Sequence, residues 1–254
     1  MDRKIKAEFI RLWKKYFNGA ELPIVFWYSD DEKSVEMVEP ASRHRCFICD
    51  LTGVRKGKPL CFNAESIGCG GGQRYLGFAD KLMPNFEYFL SCGIPGKLEG
   101  ERYKKTPEMV KEALKDMPEF KAGSRFIVFK RWDKLEDSDN PEVVIFFARP
   151  DVVSGLFTLA NFDEVEPNEV FAPFAAGCGS IVAHPYLERT SHRPRAVLGM
   201  FDVSARPCVP PDTLTFSVPF NKFLRMVENM EESFLITNSW GKVHKRISNG
   251  RKGK

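Results

Sequence analysis

Apolar residues near the start of the chain recur at helical spacing. Ile5, Phe9, Ile10, Trp13 and Phe17 alternate with Arg3, Lys4, Lys6, Arg11, Lys14 and Lys15, which predicts an amphipathic helix over residues 3–17. Asn18-Gly19 stops it. The run Leu22-Pro23-Ile24-Val25-Phe26-Trp27-Tyr28 then reads as a buried strand, and the polar residues 29–42 as a loop. Residues 44–51 read as a helix and 59–63 as a short strand leading into a glycine-rich loop. Beyond it, 73–81 is expected to be helical and 86–90 a strand or an aromatic turn. Thr106-Pro107 opens a helix with Met109, Val110, Ala113, Leu114 and Met117 on its apolar face, and 125–130 is a strand.

The charged stretch 133–141 predicts a hinge, after which much of the order returns. Residues 143–148 match the strand at 24–28, 152–159 read as a helix and 214–218 as a strand. A helix over 219–230 begins at Pro219, with Phe220, Phe223, Leu224 and Val227 apolar. Two local matches share nearly one offset. Gly68-Cys69-Gly70 recurs as Gly177-Cys178-Gly179, and residues 124–135 align with 232–243 through Trp132 and Trp240. The expectation is an α+β fold of two pseudo-repeated halves sharing one core. They would span 1–135 and 142–243, with a basic, disordered tail over 244–254.

Composition narrows the class of protein. Hydrophobic content of 43% and charged content of 28% are ordinary for a globular chain, and 22 Phe imply an aromatic-rich interior. The net charge of +4 sits largely in the tail, which is read as solvated rather than nucleic-acid-binding. No run approaches the ~18–20 apolar residues of a membrane span. The lysines and arginines of residues 3–15 leave no apolar core for a secretion signal. A cytoplasmic protein with reduced cysteines is expected, and seven cysteines cannot form a fully paired framework.

The candidate chemistry lies in the loops. Gly68, Gly70 and Gly71 around Cys69 lie between a strand and a helix, where amides can converge on an anion and lower a thiol pKa. Gly177, Cys178 and Gly179 form the second such loop. The loop is neither a P-loop nor a dinucleotide fingerprint. Cys46-Phe47-Ile48-Cys49, with Cys61 and Cys69 after it, can be read as an iron–sulfur or zinc set. Its spacing fits no standard pattern, and Phe-Ile between the thiols suits a buried helix. No metal site is therefore assigned. A nucleophile pair of Cys69 or Cys178 with His184 or His44 is a further option. Arg206, with Arg43, Arg45 and Arg74, can grip a carboxylate or phosphate.

Several of these residues carry a resemblance: Arg45-Cys46, Gly68-Cys69-Gly70-Gly71 with Leu76-Gly77-Phe78, Ala183-His184-Pro185-Tyr186, and Ser204-Ala205-Arg206 with Phe216-Ser217-Val218-Pro219. Over about residues 20–235 the chain resembles the prokaryotic, largely anaerobe-associated family called domain of unknown function 169. The resemblance implies a cytoplasmic protein and no particular activity. It also implies a cysteine ahead of the last arginine motif. Here Asp202 and Ser204 occupy that stretch, and Cys208 lies beyond Arg206. Three readings of function follow. The leading one is a binder of an anionic small molecule or cofactor at the junction of the halves, through the glycine-cysteine loops and Arg206. The others are a thiol-dependent redox or iron–sulfur protein, and a partner-binding protein whose glycine loops are structural. The sequence sets neither the cofactor nor the oligomeric state.

Overall fold

A computed structural model describes residues 1–31, 35–115, 117 and 120–249. Residues 32–34 of the expected loop and 250–254 of the expected tail lie outside the described residues. The strands are β1 (Ile24–Ser29), β2 (Glu36–Met37), β3 (Leu60–Phe62), β4 (Phe126–Arg131), β5 (Val143–Ala148), β6 (Val170–Phe171), β7 (Ala196–Gly199) and β8 (Leu214–Pro219). The α-helices are α1 (Arg3–Tyr16), α2 (Phe47–Arg55), α3 (Gly70–Tyr75), α4 (Phe86–Phe89), α5 (Pro107–Lys115), α6 (Pro150–Ala160), α7 (His184–Glu188), α8 (Phe220–Glu228) and α9 (Asn238–Asn249). The fold is α+β, as the hydrophobic pattern predicts.

The strands form one mixed sheet in the order β2-β3-β4-β1-β5-β8-β7-β6. That order is a palindrome in sense as well as in sequence. The outermost pairs, β2 with β3 and β6 with β7, are parallel, and every pair between them is antiparallel. At the centre Ile24 pairs with Ile145, Val25 with Val144 and Phe26 with Val143. A twofold through the Val25–Val144 pair exchanges the two half-sheets, β2-β3-β4-β1 and β5-β8-β7-β6.

Alternation along each strand builds two cores. Val25, Trp27, Val144, Phe146 and Ala148 face one side with residues of α1, α6, α8 and α9. Ile24, Phe26, Val143, Ile145 and Phe147 face the other, under α2 and the segment 178–183. Strand β5 is buried at all six positions because helices cover both faces, which is why it reads as an unbroken apolar run.

On the first side, Asp2 caps α1 by accepting from the Lys4 N–H at 2.7 Å. Trp132 donates its indole N–H to Lys6 O at 3.2 Å, and Trp240 donates to Tyr16 O at 3.0 Å. The two tryptophans thus brace opposite ends of one helix. Their surroundings differ, since Phe126–Arg131 is a strand whereas Phe234–Ile236 is a 3₁₀ turn. The match of 124–135 with 232–243 is therefore not a structural equivalence.

Of the charged residues in 133–141, Asp139 is buried and accepts from Lys130 Nζ at 3.0 Å, whereas Lys134, Glu136 and Asp137 are exposed. Other expectations are corrected here as well. The tail is ordered as far as Asn249, within α9, where Arg246 pairs with Asp151 and Ser248 Oγ donates to Asn18 O at 3.0 Å. Residues 86–89 form a short helix. Helix α3 begins at the glycines and ends before Gly77. At Gly77 φ is +78° and a Cβ would meet Ala122 N at 2.5 Å.

Gly155 lets α6 approach α9. A Cβ there would lie 2.4 Å from Trp240 Cη2 and 2.9 Å from Phe17 Cε1. Gly155→Ala is expected to lose about 1–3 kcal/mol of stability through overpacking. A thermal midpoint equal to that of the parent protein would refute the contact.

Candidate functional site: a cysteine cluster at the seam

Where the second core crosses from one half-sheet to the other, α2 and α3 meet the segment after β6 and the loop after β7. Helix α2 lies between the parallel strands β2 and β3. Between their counterparts β6 and β7 lies a π-helical turn, Gly179–Ala183, running into α7. Cys46 is the residue before α2, and Cys178 the residue before the π turn. The topological mate of Cys178 is therefore Cys46. Cys69 instead caps α3, after β3. The two glycine-cysteine loops are thus not equivalent turns, although the fold brings them together.

Several observations define their neighbourhood. Gly179 packs on Tyr75 of α3, where a Cβ would meet Tyr75 Cδ1 at 3.0 Å. Gly177 faces Ala205, Met200 and Ile48 of α2. Burial pushes the Cys178 thiol well up, and Cys69, Cys46 and Asp202 add to it in that order. Cys46 is also raised, by burial first and then by Cys69 and Asp202. The amides of Ile48 and Cys49 in the first turn of α2 pull the other way. Cys178 is consequently a neutral thiol near pH 7. The Cys69 sulfur accepts from the Gly72 N–H at 3.2 Å.

A disulfide joins Cys49, in the first turn of α2, to Cys208, in the 3₁₀ turn Arg206–Cys208. It spans 159 residues of sequence and links one half-sheet's helix to the other's loop. Cys49 is exposed and Cys208 half-buried. The expectation that all cysteines are reduced is corrected: Cys46, Cys61, Cys69, Cys92 and Cys178 are free. Cys46, Cys49, Cys69, Cys178 and Cys208 gather at this seam. Among the described residues no group of three or more His, Cys, Asp or Glu side chains is placed to hold a metal ion.

Asp202 ties loop 200–213 to the second glycine-cysteine loop and to Tyr103. Its carboxylate accepts from Gly177 N–H (3.0 Å), Ser204 N–H (3.0 Å), Ser204 Oγ–H (2.7 Å) and Tyr103 O–H (3.2 Å). Arg206 directs its guanidinium inward, donating to Pro211 O at 2.7 Å, Pro210 O at 3.3 Å, Met200 O at 3.4 Å and also to Thr213 O. It holds loop 200–213 closed. Arg45 pairs with Asp50 at 2.6 Å, and Arg74 donates to Asp80 O at 2.7 Å. Arg43 and Arg45 line an open cleft of about 340 Å³ formed by residues 38–43 and 45. Gly68 lies against Arg43 O at 2.9 Å, measured from a would-be Cβ, whereas Gly70 and Gly71 face open space. His184 stacks edge-on with Phe171, and burial lowers its pKa. Among the described residues, no hydrogen bond joins His184 or His44 to a cysteine.

Sequence reasoning passed over Tyr103, Asp202 and the Cys49–Cys208 bond as parts of the site. The one available signal was the i, i+3 spacing of Cys46 and Cys49.

A mixed sheet covered by helices, with a cysteine-lined seam between two matching half-sheets, defines the class of structure. The chain belongs to the DUF169 family, described as Uncharacterised ArCR, which matches it over residues 15–229. No curated protein and no solved structure gives a match. Among the described residues, no helix is long and apolar enough to cross a membrane.

Proposed function

We propose that this is a thiol-dependent redox protein whose centre is the Cys49–Cys208 disulfide and the thiols gathered around it. The observation that carries the reading is the position of that disulfide at the seam, with its Cys49 end exposed and Cys208 half-buried, beside Cys46, Cys69 and Cys178. Exposed disulfides are the labile ones, whereas buried structural bonds resist reduction. An external dithiol reduces the bond: its two sulfurs pair, and Cys49 and Cys208 each take a proton as thiols. The reverse reaction oxidises a partner dithiol.

The anion-binding reading has less in its favour. The Arg206 donors are directed at backbone carbonyls, Arg45 is paired, and the charge beside the thiols is the Asp202 carboxylate. An iron–sulfur centre would need the sulfurs to regroup. We also read the two half-sheets as copies of one duplicated unit, with the twofold register supporting it and residues 133–141 joining the copies.

The test counts thiols. Air-oxidised protein, denatured and alkylated, should take up five alkyl groups, and seven after reduction. The bond should re-form when a glutathione redox buffer is made oxidising. Seven labels without reductant, or a bond that never re-forms, would remove the proposal.

A further inference from the structure

Cys46 and Cys49 stand at the cap and third positions of α2, where side chains three residues apart share a face. The Cys49 N–H donates to Cys46 O at 3.0 Å, closing the turn between them. Cys46 is free and half-buried, and Cys49 is exposed with its sulfur already in a disulfide. We propose that Cys46 is the exchanging cysteine, which moves the disulfide from Cys49–Cys208 to Cys46–Cys49 and thereby releases the link between the half-sheets. The inference rests on the thiol–disulfide reading above.

The exchange balances with any small thiol as initiator. The thiolate of R–SH attacks Cys49 Sγ, the R–S–S–Cys49 bond forms, the Cys49–Cys208 bond breaks, and Cys208 leaves with the proton as a thiol. Cys46 thiolate then attacks Cys49 Sγ. The Cys46–Cys49 bond forms and R–SH departs with the proton Cys46 gave up. One disulfide is present at every stage, shared with the initiator only in the intermediate, so the protein's oxidation state is the same before and after and the initiator is regenerated.

Neighbouring thiols are poorer candidates for this step. Cys178 is buried and held neutral, so its thiolate population is small. Cys69 belongs to another helix start, where its sulfur accepts from Gly72 N–H at 3.2 Å. The first-turn amides of Ile48 and Cys49 favour the Cys46 thiolate, which burial opposes. An attacking thiol need not be strongly acidic, because nucleophilicity falls along with pKa.

Release has a structural meaning. Cys208 lies within the loop that Asp202 and Arg206 hold closed, and Ala205 and Val209 of that loop share a core with Ile48 and Leu51 of α2. With the disulfide confined to α2, loop 200–213 is retained over Cys178 by packing and by the Gly177 and Tyr103 hydrogen bonds to Asp202, with no covalent link to α2.

Oxidised full-length protein is incubated with reduced glutathione, quenched with an alkylating reagent and mapped by mass spectrometry. Trypsin leaves Cys46 and Cys49 on one peptide, residues 46–55, so their bond is an internal one. The expected result is gain of that internally bonded peptide, with Cys208 alkylated. In Cys46→Ser the glutathione adduct accumulates on Cys49 instead, and Cys92→Ser, at a free cysteine outside the seam, behaves as the parent does. Oxidised Cys208→Ser should hold Cys46–Cys49 directly. Cys49–Cys208 present but unmoved by glutathione, or Cys46 alkylated in oxidised Cys208→Ser, overturns the inference alone. Absence of Cys49–Cys208 before glutathione overturns the redox reading itself.

Discussion

Reduction of Cys49–Cys208 should lower the free energy of unfolding by about 5 kcal/mol, the loop-closure value for a 159-residue span. The bond restricts the unfolded chain over more than half its length, so its removal mainly enlarges the unfolded ensemble. The native sheet does not depend on it. The half-sheets remain paired through β1 and β5, and through a core in which Ile48, Leu51, Ile181, Val182 and Ala205 are all buried. Reduced protein is thus expected to stay folded while its denaturation midpoint falls. For a chain of this length the thermal midpoint should drop by roughly 10–20 °C, at about 2–4 °C per kcal/mol. Guanidinium unfolding with and without dithiothreitol measures the effect. Cys49→Ser should match the reduced parent whether or not reductant is present. Equal midpoints for oxidised and reduced parent would mean the bond does not constrain the chain. Native-state hydrogen exchange should quicken first in loop 200–213, where the link is anchored.

Local patterning made the elements legible but not their pairing. Helix α1 follows from the stripe of Phe9, Trp13 and its neighbours, and β5 from six consecutive apolar residues, because burial imposes those periods directly. The α+β class followed from them. The twofold register was hidden, since equivalent strands stand at unequal separations. Ile24 corresponds to Val143, 119 residues on; Phe126 to Leu214, 88 on; and Leu60 to Val197, 137 on. The unequal connections cause this: 30–59 between β1 and β3 against 149–195 between β5 and β7, and 63–125 after β3 against 200–213 after β7. A comparison at one fixed offset therefore paired a strand with a 3₁₀ turn, and Cys69 with Cys178 in place of Cys46. The site was visible as a set of cysteines, but a bond between Cys49 and Cys208 depends on how α2 meets the loop after β7. Arg206 shows the opposite failure: its type is right for an anion, yet the carbonyls of its own loop take up its donors. Asp202 went unassigned because its role comes from four donors on three segments, not from a motif.

Glu169→Gln should cost about 3–5 kcal/mol, the penalty for leaving a buried charge without its partner. Glu169 immediately precedes the edge strand β6 and is fully buried, and Lys222 of α8, also buried, donates to it at 2.6 Å. Among the described residues Lys222 keeps Glu164, at 3.7 Å, as its other acidic partner, and Arg225 already holds Glu164 at 2.5 Å. Lys222→Met should cost less. Glu169 then retains Arg193, whose side chain is 39% exposed and so loses less hydration in the pairing. The double variant should regain much of what Glu169→Gln loses, because neither buried charge remains. Denaturant unfolding of the three variants gives the order, and a larger loss for Lys222→Met than for Glu169→Gln would contradict this account. The edge also matters for the site, since β6 and β7 hold the two ends of the segment carrying Cys178. A loosened β6 should therefore quicken alkylation of Cys178 in the folded Glu169→Gln protein. An unchanged rate would mean that the seam is held by its own core contacts rather than by the buried ion pair at the sheet edge.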